Sequence, residues 1–262
     1  MIRTNQLKQK LREGHDVFGL FCSIPSPVVV EMIGCADFDF IIIDTEHVLV
    51  NPETLENMIR AAEVAGLTVL VRVSEVNPKE ILRVLDGGAQ GIVVPHVESR
   101  EQAHRLVNCC KYWPIGNRSL NSGRAGVFGK YDLVEYIRQA NEEIMVVPMI
   151  ESVQGVENAE EILSVPGIDM ILEGAADLSQ SCGVPWQSRH PSVKEGLLRL
   201  FRAATLHDVP YCAIPRATAD YDDWRERGVH AYVLGDERGI SFRALRAHLQ
   251  SYQLDKANES RR

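Results

Sequence analysis

Ionisable side chains recur where the apolar runs of this chain end. F-I-I-I closes on Asp44-Thr45-Glu46-His47, and V-L-V-R-V carries Arg72 as its penultimate residue. G-I-V-V-P is followed by His96, and I-M-V-V-P-M-I by Glu151-Ser152. I-D-M-I-L leads into Glu173-Gly174-Ala175-Ala176-Asp177, Y-C-A-I-P into Arg216, and the last run into Asp236-Glu237-Arg238. Arg72 is the most informative of these. A guanidinium inside an apolar pattern needs an anion, because an unpaired buried charge is very costly. That anion is either a structural carboxylate or the carboxylate of a ligand gripped by the planar fork. His47 is a candidate general base, the role imidazole most often takes in catalysis. A base needs an orienting acid; Asp86, in L-R-V-L-D-G-G, is one option, its alternative role being a helix C-terminal turn. Glu151 and Asp177 offer hard oxygen ligands for a divalent cation, or serve as helix caps and loop acids.

Elements of two kinds must position these groups. Short β-rich runs lie at Val17–Cys22, Phe38–Asp44, Thr68–Val73, Gly91–Pro95, Ile144–Ile150, Ile168–Leu172, Val209–Ala213 and Ala231–Leu234. Several are continuously apolar, the mark of strands buried on both faces of a parallel sheet. Helical patterns alternate with them, and Asn51-Pro52 and Asn77-Pro78 are strong helix starts. Eight strand–helix pairs in 262 residues predict an α/β fold, a single (β/α)8 TIM-type barrel over 1–254 with a polar tail at 255–262. A doubly wound sheet is the alternative. Such a barrel gathers its chemistry at the C-terminal ends of its strands. Two connections are long and irregular, W-P-I-G-N-R-S-L-N-S-G-R-A-G-V-F-G-K (Trp113–Lys130) and the stretch opening E-G-A-A-D-L-S-Q-S-C-G-V-P-W. The first is expected to cover the mouth and to order when ligand binds.

Composition removes other classes. The formal charge is −8 with no long basic run, which argues against nucleic acid or an anionic membrane as partner. There is no G-x-G-x-x-G and no phosphate-binding loop motif. No run of about 18 apolar residues is present, so no membrane span or export signal is expected. The six cysteines form no C-x-x-C pair and read as reduced thiols, which predicts a cytoplasmic protein.

Several motifs in series then resemble one family. F-D-F-I-I-I-D-T-E-H, V-R-V, L-D-G-G-A-Q-G-I-V-V-P, G-N-R-S, P-M-I-E and A-D-L-S follow the order and spacing of the HpcH/HpaI aldolases, over about 15–250. The resemblance implies a barrel of the phosphoenolpyruvate/pyruvate-binding kind and a homo-oligomer. It implies that Arg72 binds a keto-acid carboxylate and polarises its carbonyl, that His47 paired with Asp86 is the acid/base, and that Glu151 and Asp177 match metal ligands. The chain departs from the aldolases at Glu173-Gly174-Ala175-Ala176, where they carry G-P-A before Asp-Leu-Ser, at Arg216 in A-I-P-R-A-T, and at L-G-D-E-R-G. Those departures, with N-S-G-R-A-G, are similar to a narrower branch, the citrate synthases of carboxylate-siderophore biosynthesis of the staphyloferrin B type. That branch implies condensation of oxaloacetate with acetyl-CoA and no required cofactor. Glu151, Ser179, Arg118 and Arg216 then join Arg72 as substrate contacts, with Arg118, Arg124 and Arg216 the candidates for a second carboxylate or the CoA phosphates. The alternative is a class II aldolase, dependent on Mg2+ or another divalent cation, cleaving a 4-hydroxy-2-keto acid to pyruvate and an aldehyde. On either reading Glu173 adds a carboxylate to the barrel mouth.

Overall fold

The computed structural model describes residues 3–259 and closes eight parallel strands into a barrel in chain order. They are β1 (Val17–Cys22), β2 (Phe40–Asp44), β3 (Thr68–Arg72), β4 (Gly91–Val94), β5 (Met145–Ile150), β6 (Ile171–Glu173), β7 (Tyr211–Ala213) and β8 (Ala231–Asp236). All eight expected runs are strands, although β2, β5, β6 and β7 start later than their apolar runs do and β8 reaches Asp236.

The helices are α1 (Gln6–Arg12), α2 (Pro27–Cys35), α3 (Pro52–Val64), α4 (Pro78–Asp86), α5 (Arg100–Cys110), α6 (Leu133–Glu143), α7 (Val153–Glu157), α8 (Ala159–Leu163), α9 (Ala175–Ser181), α10 (Pro191–Leu206), α11 (Thr218–Glu226) and α12 (Glu237–Glu259). The Asn-Pro starts work as expected: Asn51 accepts from the Thr54 N–H, and Asn77 from those of Lys79 and Glu80. The helical pattern at 156–164 is two short helices broken at Asn158. α9 falls in a stretch expected to be irregular, being short and opened by Gly174.

Strand side chains alternate between two cores. Phe40, Ile42, Leu70, Val93, Met145, Val147, Met149, Met170 and Leu172 fill the barrel interior. Ile41, Ile43, Val69, Val71, Ile92, Val94, Val146, Ile150 and Ile171 face the helices. This parity decides what the mouth contains. Asp44 and Arg72 continue the inward rows of β2 and β3, and Glu151 that of β5. Glu173 lies one residue past inward Leu172, so it points the other way.

The opposite end is floored by α1, whose Leu7 is fully buried in the interior core. Lys10 pairs with Asp39, and Lys8 and Lys111 pair with Asp169. At the other terminus, α12 is held at its root by Glu237, which accepts from the N–H groups of Ser23 (2.6 Å) and Ile24. The helix takes in 255–259 of the stretch expected to be a polar tail; 260–262 lie outside the described residues. Phe242, Leu245, Leu249 and Tyr252 on α12 are all exposed. Their spacing puts them on one helix face, as in an unpaired heptad seam.

Candidate active site at the C-terminal end of the barrel

Arg72 and Asp44 are register partners on β3 and β2, so their inward side chains meet. The pair is bidentate: Nε donates to Oδ1 (3.0 Å) and Nη2 to Oδ2 (2.8 Å), with the guanidinium over the Phe21 ring. Both are buried. Burial alone would raise the Asp44 carboxyl, but the Arg72 fork and the N–H groups of His47 and Glu46 outweigh it and hold it below its ordinary range. The structural carboxylate that Arg72 required is therefore Asp44. The remaining corner, Nη1, lies 3.1 Å from Glu46 Oε2. That oxygen is buried without a hydrogen bond and also stands 3.7 Å from His47 Nε2. The His47 ring itself is 58% exposed, at the rim rather than the centre.

Glu151 lies across the mouth. Gly174 makes room for it, since a Cβ there would collide with the Glu151 side chain. His96, held at a positive φ of 51°, aims its N–H at Glu151 Oε1 (3.0 Å). Such backbone strain in a non-glycine residue collects at functional sites. Burial pushes the Glu151 carboxyl up to about 7; Asp177 and Glu46 push the same way, against the charge and N–H of His96. Because the folded value is raised, the stability associated with neutral Glu151 is complete below about pH 4.5 and lost as pH rises through about 7. Glu151→Gln should therefore raise the melting temperature by several degrees near pH 8, an effect on the order of 2–3 kcal/mol, and by almost nothing below about pH 4.5. Melting curves of both proteins across that range test it; a pH-independent difference would contradict it.

The arrangement is an arginine held rigidly by one carboxylate, a histidine and a second carboxylate beside it, and two further acids opposite. Glu151 and Asp177 have the chemistry of hard cation ligands, although among the described residues no group of three or more His, Cys, Asp or Glu is arranged to hold a metal ion. Residues 17–242 match the HpcH/HpaI aldolase/citrate lyase family. The chain belongs to that family. Among solved structures, citrate synthase SbnG is 44% identical with a TM-score of 0.90, covering 95% of this chain and 98% of that one. An HpcH/HpaI aldolase from Desulfitobacterium hafniense is 31% identical, with a TM-score of 0.87 and coverage of 93% and 95%. The 5-keto-4-deoxy-D-glucarate aldolase of Salmonella arizonae is 32% identical over 241 residues, 92% of this chain and 93% of that protein.

Other residues of this family member depart from the sequence expectations. Asp86 does not pair with His47 within the chain. Its Oδ1 accepts from Arg118 Nη2 (2.8 Å) and its Oδ2 from Asn121 Nδ2 (2.9 Å). Arg118 is consequently buried, stacked on Tyr112, and not open to a ligand. Arg124 is engaged by Glu63 and the Gly87 carbonyl. These two arginines tie the long loop down to α3 and α4, where a cover that orders when ligand binds was expected. Asp86→Ala would strand the buried guanidinium, so a loss of about 3 kcal/mol is expected, with faster proteolytic cutting within 113–130. Unchanged melting and cutting would show that the loop is held elsewhere.

Ser179 is also fully buried, its hydroxyl donating to the Ala176 carbonyl. Glu173 does not enter the mouth: it accepts from the Tyr211 hydroxyl and from the Ile214 N–H (2.9 Å) in the outer layer. Burial raises its carboxyl despite those two donors. Arg216 is exposed at the end of β7 and lines a small cavity beside Glu173. The sequence puts Asp44, Glu46 and His96 at strand ends facing the mouth, but no role was expected of them. The signal was present for Asp44, an acid on the inward row of a strand next to the one carrying Arg72.

Proposed function

We propose that the protein is a citrate synthase that condenses oxaloacetate with acetyl-CoA to give citrate for carboxylate-siderophore biosynthesis. The observation that carries this reading is the 44% identity to citrate synthase SbnG across almost the full length of both chains, against 31–32% to the aldolases above.

The residues fit the chemistry. Asp44 occupies Nε and one edge of Nη2, so oxaloacetate would meet the outer Nη1–Nη2 edge of Arg72, taking over the place at Nη1 that Glu46 holds. A guanidinium at the keto oxygen makes the carbon electrophilic and stabilises the alkoxide that forms there. His47, whose Nε2 lies 3.7 Å from Glu46, is the base that takes the thioester methyl proton. The enolate carbon then bonds to the keto carbon, and water cleaves the citryl thioester to citrate and free thiol.

The second reading, a metal-dependent aldolase, is favoured by Glu151 and Asp177, which would hold a divalent cation able to polarise a keto oxygen. The deciding assay incubates the protein with oxaloacetate and acetyl-CoA and follows free thiol and citrate. Absence of both products overturns the synthase reading.

The exposed seam of α12 supports a homo-oligomer, because a heptad face of this kind is stable only when covered. Light scattering should give more than one chain per particle for the native protein and a smaller particle for Leu245→Glu/Leu249→Glu. A monomer in both cases would refute this. The free cysteines agree with a reducing, cytoplasmic setting.

A further inference from the structure

A condensing enzyme must bring its second substrate to the base, and the base here is at the rim. The segment that carries His47 runs directly into a cavity of about 400 Å³ between α3 and α4. Thr45 and Val48 flank His47 in the chain and line the cavity's near side; Leu55, Ile59 and Val84 supply apolar walls. Leu49, at the tip of the segment, is fully exposed beside it. This volume lies in the range of small-molecule sites, and apolar walls with a few polar groups are their usual lining.

Charge gives the cavity a direction. Arg83 on α4 lines it, is exposed, and makes one side-chain hydrogen bond, from Nε to the Lys79 carbonyl (3.3 Å). Its two Nη groups are open among the described residues. The other arginines considered for a CoA phosphate are placed differently: Arg118 and Arg124 are bound to Asp86 and Glu63, and Arg216 stands at β7, across the barrel from β3. Glu56 and Glu80 also line the cavity and can accept from amide N–H groups.

We propose that this cavity holds the pantetheine arm of the acyl thioester, with the thioester at Thr45–Val48 and Arg83 meeting the diphosphate. An apolar tether carrying two amides and ending in anions matches apolar walls, two carboxylate acceptors and an open guanidinium. The proposal rests on the citrate synthase reading.

Arg83→Glu tests the anion end without disturbing the core, and Leu55→Trp fills the cavity. Each should raise the KM for acetyl-CoA by about tenfold or more while the KM for oxaloacetate stays within about twofold. Thiol release with an unchanged acetyl-CoA KM in both variants would overturn the site and leave the function standing. Equal rises in both KM values would overturn it as well, since the effect would not be local. If the native protein releases no thiol, calorimetry with CoA decides separately. Binding that Arg83→Glu weakens about tenfold keeps the site although the reaction reading has failed. Absent binding, or binding the variant leaves unchanged, removes the site.

Discussion

Arg72→Lys is expected to lower kcat/KM for oxaloacetate about 30- to 1000-fold, the equivalent of roughly 2–4 kcal/mol of lost transition-state stabilisation. Charge is conserved in this substitution; geometry is not. The guanidinium holds Asp44 with two parallel hydrogen bonds and at the same time pairs through Nη1 with Glu46 (3.1 Å). An ammonium can do one or the other. Because Asp44 is buried, incomplete pairing also costs stability, and the variant should melt lower than the native protein. Kinetics must therefore be read at a temperature where circular dichroism shows both proteins folded. Near-native turnover by the folded variant would remove Arg72 from the chemistry.

The largest contrast is expected between two products. In the synthase reading the enolate forms on the thioester and Arg72 serves the keto oxygen, so citrate formation should survive exhaustive chelation. Pyruvate release from a 4-hydroxy-2-keto acid should be negligible with or without magnesium or manganese. In an aldolase the cation stabilises the pyruvate enolate, so activity should vanish in chelator and return with metal. Thiol and citrate are measured in one arm, pyruvate in the other. Chelator-sensitive pyruvate release without thiol release would make the protein an ordinary metal-dependent aldolase.

Much of this was legible in the residues. Continuous apolar runs such as F-I-I-I-D and G-I-V-V are what a strand buried on both faces needs, and each became a strand of the closed barrel. Arg72 announced a buried anionic partner by its cost alone. What failed was finer than the element. Glu173 follows an apolar run just as Glu151 does, yet one is inward and the other outward, because direction depends on parity relative to Leu172 and Met149. Asp86 illustrates a second limit. It matched a family position, but its contacts come from a loop more than thirty residues onward, and no local pattern specifies which of several arginines reaches it. The short α9 escaped because seven residues opened by a glycine carry too little periodicity to be distinguished from a loop.

The Asp44–Arg72 clamp has a consequence for the order in which freedom is lost. A free arginine side chain carries about 2 kcal/mol of rotamer entropy. Here that entropy is surrendered once, when the barrel folds, and not again at each encounter with substrate. On the synthase reading, the mouth would therefore meet an incoming 2-keto acid as a rigid template, with no ordering cost at that group. The same rigidity makes the donor indifferent to what lies beyond the keto carboxylate. Discrimination between short and long keto acids must then fall to side chains that touch the far end of the molecule, which leaves the clamp free to serve different reactions while its own geometry stays fixed.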